Sequence, residues 1–269
     1  MKKFLLLMVL AFALTACGNG AAGTNDVGGD VTTLRIGATP TPHAVVLEFI
    51  ADDLAARGVV LDIVEFAEFV LMNQALYEGQ IDVNYFQHYP FLLNWIENSG
   101  NVLTRVADIH IEPMGVYSET LTHVHQVPPG GSVAIPNDAV NGGRALTLLE
   151  AAGLLVLPEE NDGRITVADI VENLLDLNII ELEAPLVPVA LPEVDIAVIN
   201  TNFALGIGLN PIQDAIFMED VDSPFANIVV TRPENANDEA IRILVETLQT
   251  DRVREFIIER FENAVVPVF

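Results

Sequence analysis

Two α/β lobes with a ligand cleft between them are the architecture this chain predicts, on three observations. Short β-prone runs alternate with helix-spaced segments from residue 34 onward. An irregular stretch, residues 119–132, interrupts the alternation, and its Pro128-Pro129-Gly130-Gly131 can be neither helix nor central strand. A last strand followed by two helices then returns the chain to the first lobe. Strands alternating with helices argue for parallel sheets covered on both faces, with ligand held at the carboxyl ends of the strands. The predicted division is 34–115 and 226–269 for lobe 1 and 116–225 for lobe 2.

Each element has a local reason. Residues 34–38 read as a strand. Thr41-Pro42 then offers an N-cap and a proline at the first helical position, and Val46, Phe49, Ile50 and Leu54 follow at helical spacing until Gly58. Residues 61–66 form a second strand, 70–78 a helix, 81–84 a strand, and Pro90 opens the next helix. Beyond the irregular stretch come a strand at 132–135, a helix at 144–152 stopped by Gly153, and a buried strand at 194–199. A strand at 226–230 and helices at 238–249 and 252–261 complete the set.

The N-terminus has a different character. Lys2 and Lys3 precede an apolar run from Phe4 to Ala13, which ends in Leu14-Thr15-Ala16-Cys17. Charged start, short apolar middle and small residues at the cut are the order of a signal peptide, and the run is too short to span a bilayer. Residues 1–16 are expected to be removed and Cys17, the only cysteine, to carry lipid. The mature chain would be tethered to the cell membrane, facing outside the cytoplasm, through a flexible glycine-rich segment at 17–33.

Composition narrows the function. At 51% hydrophobic residues the chain buries a core rather than staying disordered. Its formal charge is −26, no lysine follows Lys3, and 38 acidic residues face ten arginines in the mature chain. Nucleic acid, which needs basic patches, is excluded as a partner. One cysteine permits no intrachain disulfide.

Three turns after predicted strands carry Asn, Gly and Arg: residues 136–144, Asn200-Thr201-Asn202, and residues 223–227. Asn supplies donor and acceptor, and Arg a fork that grips a carboxylate, which suits a zwitterionic amino acid; equally, Asn and Gly are turn formers and Arg144 a solvated helix residue. In Asn84-Tyr85-Phe86-Gln87-His88-Tyr89-Pro90 the aromatics would wall an apolar pocket or fill the core. His123-x-His125 raises a metal site that His43, His88 and His110 could join, but no cysteine is available and the pair is read as incidental, with no metal and no cofactor expected. With no nucleophile elbow and no phosphate loop the chain reads as a binder, not an enzyme.

Several blocks carry a family resemblance: Ile36-Gly37-Ala38-Thr39-Pro40-Thr41-Pro42-His43, Asn84 to His88, Ile109 to Ser118, Ala134 to Asp138 with Asn141 to Leu146, and Asp220 to Asn227. From Leu34 to Phe269 the chain resembles the NlpA-type methionine-binding lipoproteins. That resemblance implies a two-lobed periplasmic-binding-protein fold that captures L-methionine, or another amino acid or methionine-containing dipeptide, and delivers it to an ABC permease and its ATPase. It implies that Arg144 pairs with the ligand carboxylate, that Asn141, Asn200 and Asn227 hold its polar head, and that Tyr85, Phe86 and His88 line the side-chain pocket beside Phe66 and Phe69. Phe69 and Phe203 stand where the family pattern has tyrosines, and residues 120–131 lack its charged helical segment.

Overall fold

The computed structural model describes residues 31–159, 164–221 and 223–269; the signal segment, Cys17 and most of the tether lie outside them. Two mixed sheets organise the chain. The first holds, in spatial order, Val266–Pro267, Thr104–Ile111, Ala226–Thr231, Val83–His88, Thr32–Ala38 and Val59–Glu65. The second holds Phe217–Met218, Gly115–Tyr117, Ile196–Ile199, Ser132–Pro136 and Asn178–Leu182.

Helices cover both faces of the first sheet, as expected for strands buried on two sides. All six residues of Val83–His88 are buried. Tyr85 packs with Ile36, Leu47 and Leu244 on one face, and Phe86 with Met72, Leu92 and Ile228 on the other. The second lobe has its own core, in which Val133, Ile135, Leu146, Leu149 and Val198 meet. Among the described residues no helix is long and apolar enough to cross a membrane.

The sheets are not purely parallel. Thr32–Ala38 pairs in parallel with Val59–Glu65 and Val83–His88, but Ala226–Thr231 enters antiparallel between Val83–His88 and Thr104–Ile111. The cause is the double crossing between sheets. The chain leaves the first sheet after Ile111 and re-enters it at Ala226, and those two residues pair; Gly115 and Met218 pair at the other end of the same crossing. One connection runs out and the other back, so the strands they join oppose each other.

Two local expectations are corrected. Thr41 does not cap a helix: it is extended (φ −133°, ψ 135°), a wide turn spans Pro40–Ala44, and the regular helix is Val45–Ala55. The buried His43 ring, held by Thr39 and Asn227, explains why this turn replaces a plain cap. Residues 139–144 are helix rather than turn, within Ala139–Ala151, because Asp138 accepts hydrogen bonds from the Val140 and Asn141 amides at 3.2 and 2.8 Å. Gly142 sits where a Cβ would lie 2.9 Å from the Pro136 carbonyl oxygen, so the helix start is pressed against the preceding strand at a place only glycine fits. The expected stops hold at Gly58 (φ 80°) and Gly153 (φ 77°), both in the left-handed region.

Candidate functional site

Strand ends, helix starts and the two crossings converge on one cavity. From the first lobe come Phe69, Phe86 and Phe91, with Gln87 and His88 at the end of Val83–His88. From the second come Asn141 and Arg144 on the Ala139–Ala151 helix, and Asn200, Thr201 and Asn202 at the start of Thr201–Gly206. Glu112 and Asn227 stand at the crossings themselves.

His88 joins the lobes. Its Nδ1 accepts the Phe91 amide at 3.2 Å, capping the helix Tyr89–Ser99, so the ring proton belongs on Nε2, which lies 3.2 Å from Asn141 Oδ1. Burial, then the Arg144 charge, push its pKa down to about 3, which keeps the ring neutral. Phe225 packs edge-on to His88 at 4.9 Å and lies under the Arg144 guanidinium at 4.2 Å. Phe69 closes another side of the cleft, meeting Phe203 of the second lobe at 5.0 Å between ring centres.

Arg144 is buried and one edge of its fork is occupied. Nε and Nη2 donate to Glu219 Oε1 and Oε2 at 2.7 and 2.5 Å, and Nη2 also donates to the Glu112 carbonyl at 2.8 Å. Glu219 in turn accepts the Met114 amide at 2.9 Å. The two-bond grip expected for a ligand carboxylate is made with Glu219, and Nη1 is the donor that Arg144 can offer a ligand. The pair also fastens the second lobe to both crossings.

The amides divide their work. Asn141 Nδ2 donates to both oxygens of Asp138, and its Oδ1 accepts from Asn200 Nδ2 at 2.9 Å as well as from His88, so Asn141 organises the site with every polar atom engaged. Asn200 is buried, and its Oδ1 has no hydrogen-bond partner among the described residues. Asn227 gives its Oδ1 to His43 Nε2 at 3.0 Å and retains Nδ2 as a donor.

Phe86, Phe69, His88, Asn141, Arg144, Asn200 and Asn227 therefore surround one cavity. Tyr85 and Phe66 do not line it. Tyr85 turns to the opposite face of its strand, where its hydroxyl meets His110 Nδ1 at 2.5 Å, and Phe66 packs against the aromatic core behind the cavity. Burial raises the Tyr85 pKa well above the ordinary phenol range. Glu112, Gln87, Phe91, Thr201 and Asn202 line the cavity without having been anticipated.

The histidines regroup. His123 and His125 are exposed at a short turn in the second lobe, apart from the other three. Among the described residues, His43, His110 and Glu112 are the group whose ligand atoms lie close enough to face one cation, within 4.8 Å of each other. Their atoms are already matched by hydrogen bonds: Glu112 Oε1 lies 2.8 Å from His110 Nε2 and 3.3 Å from His43 Nε2, and the Nδ1 atoms face Tyr85 and Thr39. Nε2 of each ring faces acceptors, so each proton is assigned there and the rings donate to the carboxylate. Desolvation lowers the pKa of His43 to about 4 and of His110 to about 3. Convergence here is that of a satisfied polar network.

Comparison with known proteins follows the same outline. The family model described as NlpA lipoprotein matches residues 34–269. D-methionine-binding lipoprotein MetQ of Escherichia coli K12 is 37% identical over 263 residues, 96% of this chain and 94% of that protein. Membrane lipoprotein TpN32 of Treponema pallidum is 35% identical over 87% of each chain. The solved structure of a nutrient binding protein from Burkholderia cenocepacia bound to methionine superposes with a TM-score of 0.85 at 35% identity, covering 88% of this chain and 100% of that one. The chain thus has the two-lobed substrate-binding fold and belongs to the NlpA lipoprotein family.

Proposed function

We propose that this protein is an extracytoplasmic substrate-binding lipoprotein that captures methionine and passes it to an ABC importer. The observation that carries the reading is an interlobe cavity lined by both polar and aromatic groups. A guanidinium and four asparagines line it together with three phenylalanines, as an amino acid with an apolar side chain requires. Arg144, through Nη1, and Asn227, through Nδ2, hold the carboxylate; Phe69, Phe86 and Phe91 enclose the thioether, for which aromatic contact is favourable. The protein binds its ligand and does not transform it.

Lobe closure is the working motion. His88 to Asn141 and Phe69 to Phe203 join the lobes across the cleft, and Arg144 with Glu219 ties ligand recognition to the crossings. The lipid on Cys17 and the tether after it hold the domain at the membrane, where the permease and ATPase await the closed form.

Mass spectrometry of the small molecule released when the purified protein is denatured tests the ligand. Methionine is the expected mass, and a dipeptide or an unrelated solute in its place would overturn the assignment.

A further inference from the structure

The polar groups assigned so far hold the negative end of a zwitterion and leave its α-ammonium without a counter-charge. Among the described residues Glu112 is the one carboxylate lining the cavity. Its side chain is only 7% exposed, and it leaves the first sheet immediately after Ile111, so the crossing backbone fixes its position.

Burial raises the Glu112 pKa, opposed by the nearby Arg144 charge and by the Asn202 backbone N–H. Two features leave the ionised carboxylate without a fixed counter-charge of its own. The histidines that donate to its Oε1 are neutral, so they orient the carboxylate without cancelling it. Arg144 has a different carboxylate, Glu219, on its fork and hydrogen-bonds Glu112 at the backbone carbonyl, while its charge acts on the Glu112 side chain from nearby. Beside the same cavity the buried Oδ1 of Asn200 has no partner among the described residues, an acceptor whose desolvation is uncompensated until a donor arrives.

We infer that Glu112, oriented by His43 and His110 and assisted by Asn200 Oδ1, is the seat of the ligand's α-ammonium. A buried carboxylate that faces an ammonium is also a selectivity device. It favours free amino acids over N-blocked or deaminated relatives, because those would leave the charge buried and unpaired.

This assignment rests on the amino-acid reading above, and the test separates the two. Ligand-stripped wild-type protein and Glu112→Gln are titrated with methionine and with 4-(methylthio)butanoate, which is methionine without its amino group. Wild type is expected to prefer methionine by at least about tenfold, and Glu112→Gln to lose at least about tenfold in methionine affinity while its affinity for the deaminated compound is retained. Equal weakening of both ligands would mean that Glu112 only props the histidines, and unchanged methionine affinity would remove it from the site; either overturns the inference while the methionine reading stands. Failure of wild type to bind methionine at all would remove that reading and this one together. Should Glu112→Gln not fold, a structure of the wild-type protein with methionine decides. An ammonium nitrogen within about 3 Å of the Glu112 carboxylate is expected, and one placed elsewhere in the cavity contradicts the inference.

Discussion

Arg144→Ala is expected to weaken methionine binding at least about tenfold and to destabilise the ligand-free protein as well. The binding loss follows from removing a buried, charged hydrogen-bond donor, worth roughly 1.5–3 kcal/mol. The stability loss has a separate origin: Glu219, its side chain 12% exposed, would be left without its guanidinium, and breaking a buried pair from one side costs up to about 3–5 kcal/mol. Loss of the contact with Phe225 adds to it. At about 2–4 °C per kcal/mol for a domain of this size, the melting temperature should fall by several degrees. Glu219→Gln separates the two effects. It also removes the ion pair, so the ligand-free protein melts earlier, but it leaves the guanidinium in place and should largely keep methionine affinity. Titration and melting of both variants are the measurement, and unchanged affinity in Arg144→Ala with an intact fold would place Arg144 outside the ligand contacts.

Cys17→Ser is expected to abolish membrane attachment completely. The apolar run before Cys17 is too short to span a bilayer, and none of the described helices supplies a replacement anchor. Covalent lipid on Cys17 is the hold proposed for the mature chain, and a hydroxyl cannot take the place of the thiol. Fractionation of a bacterial host with intact-mass measurement checks it: the variant should leave the membrane fraction and keep the mass of the unprocessed precursor. A variant that still sediments with membranes at the lipidated mass would sink this account of the N-terminus, while leaving the binding domain's account untouched.

How much of this was legible beforehand depends on how each residue announces itself. Apolar runs such as Ile196–Ile199 and Ala226–Thr231 stand out because burial on both faces makes them continuous in sequence. Thr104–Ile111 went unassigned although it lies inside the first sheet. Arg105 and Asp108 interrupt its alternation, and the buried His110 is polar for the sake of Tyr85 and Glu112. The helix start at Ala139 was masked by Asn141-Gly142-Gly143, which reads as a turn by composition. Only the contact of Gly142 with the Pro136 carbonyl and the side-chain cap from Asp138 reveal why glycine belongs in that helix.

The site shows the same division. Arg144, Asn141, Asn200, Asn227, His88, Phe86 and Phe69 were found by pattern and resemblance and gather at one cavity. Tyr85 does not line the cavity, because its side chain turns away from it and its hydroxyl meets His110 in the core of the first lobe. Glu112 was missed although an acid two residues after His110, amid Ile109, Ile111 and Met114, is out of place in an apolar strand end. That Arg144 would already hold Glu219, 75 residues away in sequence, had no local signal at all.

Titrating methionine into the ligand-stripped protein, with heat and melting temperature followed together, decides whether the interlobe cavity is a methionine site. One-to-one saturable binding is predicted, with a rise in melting temperature that grows with ligand concentration as RT ln(1 + [L]/Kd) requires. Alanine, which has the same polar head but cannot fill the aromatic side of the cavity, should stabilise far less. Equal effects from alanine and methionine, or no effect from either while Zn²⁺ binds one-to-one, would contradict the claim.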